Sequence, residues 1–142
     1  MISFSRRALS TRFNLVMVNG CFDPFHYGHL LHLYAARAHG RWLVVALTGD
    51  AFVNKGPGRP AFPAAQRKAV LEGLRCVDEV IVSEAARPDD LIRALRPEVY
   101  AKGCDYTRAD IAEAALVESY GGRVVFTQTP KFSSTELLRR CA

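Results

Sequence analysis

A chain of 142 residues, 49% hydrophobic and 23% charged, has the length and balance of one globular domain with a real core. No apolar run approaches the roughly 18 residues that a membrane-spanning helix requires. The net charge of +5 comes mostly from scattered arginines. The chain therefore lacks the basic run or aromatic-laced stripe of a nucleic-acid-binding domain.

Residues 1–13 hold Arg6, Arg7 and Arg12, three serines and no acid. This resembles a transit peptide, but so short a stretch reads more simply as a disordered or edge extension before a domain spanning 14–142. A short apolar run at 14–19 reads as a buried strand ending at Gly20. Apolar residues at helical spacing over 28–39 predict a helix that Gly40 stops. A second buried strand follows at 42–48. Prolines and glycines make 51–63 a loop, and Pro63 can open a helix over 64–74. The remaining elements are a strand at 79–82, a helix at 88–95, a strand at 99–102, a helix at 108–120, a strand at 123–127 and a helix at 134–140. The four cysteines stand far apart, with no C-x-x-C pair. They suggest neither a zinc site nor a disulfide framework, and a reduced cytoplasmic setting is expected.

Strands alternate with helices along the whole chain, and they are continuous apolar runs rather than alternating ones. This pattern predicts an α/β fold, a Rossmann-like three-layer α/β/α sandwich around a five-stranded parallel sheet. Ligands of such sheets bind beyond the carboxyl ends of the strands. The residues of greatest chemical interest sit just after predicted strands.

The sharpest of these stretches is Gly20-Cys21-Phe22-Asp23-Pro24-Phe25-His26-Tyr27-Gly28-His29, between the first strand and the first helix. His26 and His29 flank Gly28 at a helix start, where free backbone N–H groups and the helix dipole favour an anion. Gly28 allows a phosphate to approach the backbone closely. Imidazoles there can donate hydrogen bonds to phosphate oxygens as charge builds on them.

Gly-x-Phe-Asp-x-x-His-x-Gly-His resembles the signature of the cytidylyltransferase-like nucleotidyltransferases. These include glycerol-3-phosphate cytidylyltransferase, pantetheine-phosphate adenylyltransferase and archaeal-type FAD synthetase. The resemblance covers about residues 14–140. Leu95-Arg96-Pro97-Glu98-Val99-Tyr100-Ala101-Lys102-Gly103-Cys104-Asp105-Tyr106 is similar to a stretch of the heptose 1-phosphate adenylyltransferases. Gly-Arg-Pro at 58–60 and Tyr-Gly-Gly at 120–122 add to the likeness. Cys104 departs from that family's usual glycine, and Pro24-Phe25 replaces a common Ile-Leu. The sugar kinase domain often fused to the activity is not in this sequence, so a stand-alone form is expected.

The resemblance implies an in-line attack by the acceptor's phosphate oxygen on the α-phosphorus of a nucleoside triphosphate, releasing pyrophosphate. His26, His29, Lys55 and Arg67 would be catalytic. Lys55 lies in a loop able to close over the triphosphate. Gly20, Cys21, Phe22, Gly28, Lys102, Gly103 and Asp105 would bind nucleotide, with Lys102 and Asp105 near its ribose and base or near the sugar phosphate. Ser133, Ser134 and Thr135 match a motif that holds the β- and γ-phosphates, and they can also cap the last helix. Asp23 would contact the acceptor or organise the site.

Mg²⁺ is expected with the triphosphate rather than in a protein cage. A homodimer is compatible with the family. The favoured reaction is transfer of AMP from ATP to a sugar phosphate such as heptose 1-phosphate. The alternatives are a glycerol-3-phosphate cytidylyltransferase, a non-catalytic nucleotide-binding module and, least favoured, a basic nucleic-acid-binding domain.

Overall fold

The computed structural model describes residues 14–130 and 133–141; the arginine-rich extension expected at 1–13 lies outside them. β1 (Leu15–Gly20) is the central strand. Its Leu15, Val16, Met17 and Val18 are at most 1% exposed. A strand covered on both faces needs an apolar side chain at every position, which is why the sequence shows no alternation here.

β1 pairs in parallel with β2 (Trp42–Thr48), from Leu15 opposite Trp42 to Gly20 opposite Leu47. β2 pairs with β3 (Glu79–Ser83), and the other edge of β1 pairs with β4 (Val99–Gly103). β4 pairs with β5 (Arg123–Thr127). The order β3-β2-β1-β4-β5 is that of a Rossmann-like sheet. It reverses between β1 and β4, which opens a crevice beyond Gly20 and Gly103.

Side-chain alternation sorts the strand residues into two cores. Val16, Val18, Leu43, Val45 and Leu47 pack with Leu33 and Ala36 of α1 (Tyr27–Arg37) and Leu71 of α2 (Ala64–Glu72). On the opposite face, Leu15, Met17, Val44 and Ala46 pack with Leu91, Ile92 and Leu95 of α3 (Asp89–Leu95). Ala114 and Val117 of α4 (Ala114–Ser119) join them. Each such buried leucine, valine or isoleucine contributes about 1.5–3 kcal/mol. A fifth helix, α5 (Ser134–Cys141), closes the described chain.

The helix expected over 108–120 is not continuous. Residues Arg108–Asp110 form a single 3₁₀ turn, and α4 begins only at Ala114. The Asp110 carboxylate accepts from the Thr107 backbone N–H at 2.8 Å and from its hydroxyl at 2.7 Å, tying off the tight turn. Ile111 then runs extended (φ −100°, ψ 99°) and is buried in the second core. Local side-chain bonding and the burial of one isoleucine override the helical periodicity.

Gly40 joins α1 to β2 at a close approach. A Cβ there would lie 2.3 Å from the Asn14 carbonyl oxygen, which accepts from the Arg41 N–H. Gly40→Ala is expected to cost about 1–3 kcal/mol in urea unfolding, because backbone has to shift rather than a flexible side chain. Wild-type stability in that variant would contradict the close packing.

Candidate active site

The turn from β1 into α1 sets the site. Phe22, 5% exposed, has a left-handed φ of 49° and lays its ring over Gly20. A Cβ on Gly20 would sit 3.0 Å from that ring, so a larger residue would displace it. The Phe22 ring meets His29 edge-on, with centroids 5.0 Å apart.

His26 is the N-cap of α1, with extended backbone. Its Nδ1 accepts from the His29 N–H at 3.3 Å, and the His29 Nδ1 accepts from the His26 N–H at 3.3 Å. This is a capping box in which two imidazoles replace the usual hydroxyl and carboxylate. The rings stack with centroids 3.7 Å apart and planes 16° apart. Because each Nδ1 serves as an acceptor, the proton of each neutral ring resides on Nε2.

Both rings are held neutral at pH 7. Burial, then His26, Lys55 and His32, push the pKa of His29 down to about 3. Burial and Lys55 lower that of His26. Each ring therefore carries a neutral Nε2–H, that of His26 being buried.

A titration follows from this. The His29 ring resonances should stay those of neutral imidazole between pH 8 and about 5, and His32, lowered to about 4 by burial and Lys102, should behave alike. Below an unfolded-state pKa of 6.5, the unfolded chain takes up protons that these folded rings refuse. Their contribution makes stability fall as pH drops below that value, and has no pH dependence above it. A His29 ring that titrates near 6.5 in the folded protein would contradict the geometry.

The two histidines open onto a cleft of about 370 Å³ at the reversal between β1 and β4. Gly20, Cys21, Phe22 and Gly28 line it beside them, as expected from the sequence. Lys55 reaches it from the loop after β2, and Lys102, Gly103 and Asp105 from the end of β4. The Lys102 ammonium lies 5.6 Å from the Tyr100 ring centroid and 5.0 Å from that of Tyr106. Burial lowers its pKa, against the opposing pull of Glu113 and Asp105. A helix N-terminus, two donor imidazoles and two lysines make this wall suited to an anion.

Asp23 lies elsewhere. It is fully buried, with Oδ2 accepting from Arg59 Nε at 3.0 Å and the Ala61 N–H at 2.7 Å, and Oδ1 from the Phe62 N–H at 3.0 Å. Arg59 also donates to the Asp23 carbonyl. Burial alone would raise the Asp23 pKa, but these donors outweigh it and hold it below the usual value. Of the two roles expected of Asp23, these contacts serve the organising one: it clasps the loop after β2 to the β1–α1 turn.

Arg67, expected among the catalytic residues, is likewise bound to the protein itself. It is 3% exposed and donates to the carbonyls of Phe62 (2.8 Å), Cys21 (2.8 Å) and Thr48 (2.9 Å), and to the Asp50 carboxylate (2.7 Å). Asp50 in turn accepts from the Ala64 N–H at 2.8 Å, capping α2 from a distance. With these contacts Arg67 ties the ends of β1 and β2 to α2, and it does not line the cleft.

The hydroxyls at the start of α5 are likewise engaged. Ser133 Oγ accepts from the Glu136 N–H, Ser134 Oγ donates to the Pro24 carbonyl at 2.8 Å, and Thr135 Oγ1 accepts from Arg59 at 3.1 Å.

Comparison with known proteins places this arrangement. The model of the cytidylyltransferase-like family matches residues 17–140. The chain belongs to that family.

Among curated relatives, it is 46% identical over 131 residues to "Bifunctional protein HldE" of Streptomyces coelicolor, covering 90% of this chain and 28% of that protein. It is 43% identical over 131 residues to the protein of the same name from Methylobacillus flagellatus, covering 90% and 27%. The chain thus spans little more than a quarter of the length of these relatives. A solved lipopolysaccharide core biosynthesis protein from Thermoplasma volcanium superposes with a TM-score of 0.72 at 23% identity, covering 83% of this chain and 98% of the other. Pantothenate synthetase from Thermus thermophilus superposes at 0.66 with 16% identity, covering 96% and 66%. At such identities these two likenesses concern the fold.

Beside the residues that carry the family signature, the cleft holds others that sequence reasoning passed over. His32, Asn19, Thr48 and Thr129 line it. His32 carried a legible signal, since it stands one helical turn beyond His29, on the same face. Arg59 belongs to the Gly-Arg-Pro stretch that adds to the family likeness, but its pairing with Asp23, 36 residues away in the chain, is not legible.

Proposed function

We propose that this domain is a nucleotidyltransferase that moves AMP from ATP to a sugar phosphate, with heptose 1-phosphate the leading acceptor. The observation that carries the reading is the reciprocal His26–His29 cap, with both rings neutral and lining the same cleft as Lys55 and Lys102. The resemblance of residues 95–106 to a stretch of the heptose 1-phosphate adenylyltransferases supports a sugar phosphate as the acceptor class.

In the proposed reaction an acceptor phosphate oxygen attacks the α-phosphorus in line. The bond from that phosphorus to the oxygen bridging the β-phosphate breaks, and pyrophosphate leaves. The nucleophile is already an anion near neutral pH, so catalysis rests on positioning and charge stabilisation. The Nε2–H groups of His26 and His29 donate to the α-phosphate oxygens. Lys55 neutralises the leaving pyrophosphate. Mg²⁺ would enter as part of the nucleotide substrate and would neutralise charge on its phosphates. The separated free cysteines fit a reducing cytoplasm.

The test crosses four nucleoside triphosphates with sugar and polyol phosphates and measures pyrophosphate release. The expected result is turnover that requires both partners and is greatest with ATP and heptose 1-phosphate. Preference for CTP with glycerol 3-phosphate would instead establish a glycerol-3-phosphate cytidylyltransferase. Nucleotide binding without release in any combination would establish a non-catalytic module.

A further inference from the structure

A third histidine lines the same cleft and carries the opposite hydrogen-bonding sense. His32 is partly buried in α1, and its Nδ1 lies 2.6 Å from the Thr127 Oγ1 at the end of β5. That hydroxyl lies 3.3 Å from the Lys102 carbonyl oxygen, to which it donates. Thr127 is 2% exposed, so its partners lie within the protein.

A threonine hydroxyl has one proton, and a carbonyl can only accept. Were that proton given to His32, the contact with Lys102 would be no hydrogen bond. Only one arrangement makes both contacts bonds: Nδ1–H of His32 donates to Thr127, and Thr127 donates to the Lys102 carbonyl. The neutral His32 ring then presents a bare lone pair at Nε2. Burial and the neighbouring Lys102 charge keep the ring neutral, while Asp105 opposes them weakly.

We propose that His32 is a specificity residue whose Nε2 accepts a hydrogen bond from a substrate hydroxyl at the β4–β5 side of the cleft. The inference rests on the nucleotidyl-transfer reading for the identity of its ligands. The sign of the contact follows from the tautomer. His26 and His29 direct Nε2–H donors at an anion, whereas the His32 lone pair repels a phosphate oxygen and attracts O–H. Three histidines on successive positions of one helix face thereby orient the ligand, with phosphate toward the helix start and Lys55 and a hydroxyl-bearing ring toward Lys102 and Asp105. That hydroxyl belongs either to the nucleotide ribose or to the acceptor sugar, and the two are separable by deletion.

The experiment has two parts. First, ¹⁵N spectroscopy of the wild-type protein reads the tautomer, with a protonated Nδ1 and an unprotonated Nε2 expected for His32 and the reverse for His26 and His29. Second, calorimetry measures binding of Mg-ATP, its 2′-deoxy and 3′-deoxy forms, and a hexose 1-phosphate with its monodeoxy derivatives. The proteins compared are wild type, His32→Gln and His32→Leu.

One deletion is expected to weaken binding to wild type by about three- to tenfold and to leave binding to His32→Leu unchanged, as one hydrogen bond requires. His32→Gln, whose amide oxygen can replace Nε2, should recover much of the discrimination. A protonated His32 Nε2 would overturn the proposal. So would equal losses in wild type and His32→Leu for every analogue. These readouts do not depend on turnover, so a failure of the nucleotidyl-transfer reading would appear separately, as absent pyrophosphate release.

Discussion

Replacing His29 with alanine is expected to lower kcat by about 10²-fold or more, the scale for losing one preorganised donor to developing charge. The same change removes half of the α1 capping box, which costs about 1 kcal/mol of stability. A second substitution separates the two effects. In His29→Asn the amide oxygen stands near the position of Nδ1 and can still accept from the His26 N–H. It carries nothing at the position of Nε2. His29→Asn should therefore be as slow as the alanine variant yet closer to wild type in urea unfolding. Turnover near wild type in either folded variant would remove His29 from the chemistry.

Asp23→Ala is expected to destabilise the domain by about 3–5 kcal/mol, the range for removing one partner of a buried ion pair. The loss leaves the Arg59 guanidinium, with a side chain only 7% exposed, facing no carboxylate. It also strips the Ala61 and Phe62 N–H groups of their acceptor. Because the clasp fixes one end of the loop that carries Lys55, activity should fall as well. Arg59→Met added to Asp23→Ala should cost much less than the sum of the two single changes, since each alone strands the other's charge. A loss below about 1 kcal/mol in Asp23→Ala would contradict the clasp.

These two residues show where the sequence is legible and where it is not. The central strands are the most readable because a parallel strand buried on both faces is a continuous apolar run, as in Leu15, Val16, Met17 and Val18 of β1 and Leu43, Val44, Val45, Ala46 and Leu47 of β2. The His26–His29 turn is readable because a helix start concentrates its donors within a few residues of chain. Contacts with distant partners are not legible in this way. Asp23 and Arg67 look like site residues in one dimension. Their actual ligands lie up to 39 and 46 residues away in the chain, and only the folded sheet brings them together. The spacing of His32 from His29 is legible in the sequence, but its contact with Thr127, 95 residues later, is not. The helix expected over 108–120 fails for a local reason, the Thr107–Asp110 turn, which outcompetes a periodicity that only Ile111, Ala114 and Val117 support from the buried side.

The central claim is that the His26–His29 cleft joins the phosphate of an acceptor to the α-phosphate of ATP. ³¹P spectroscopy of the protein with Mg-ATP and heptose 1-phosphate tests it most directly. The expected result is a pair of mutually coupled resonances from a new P–O–P linkage between the nucleotide and the sugar, growing in step with free pyrophosphate and depending on both substrates. Loss of ATP to ADP and phosphate, or to AMP and pyrophosphate with the sugar phosphate unchanged, would contradict it.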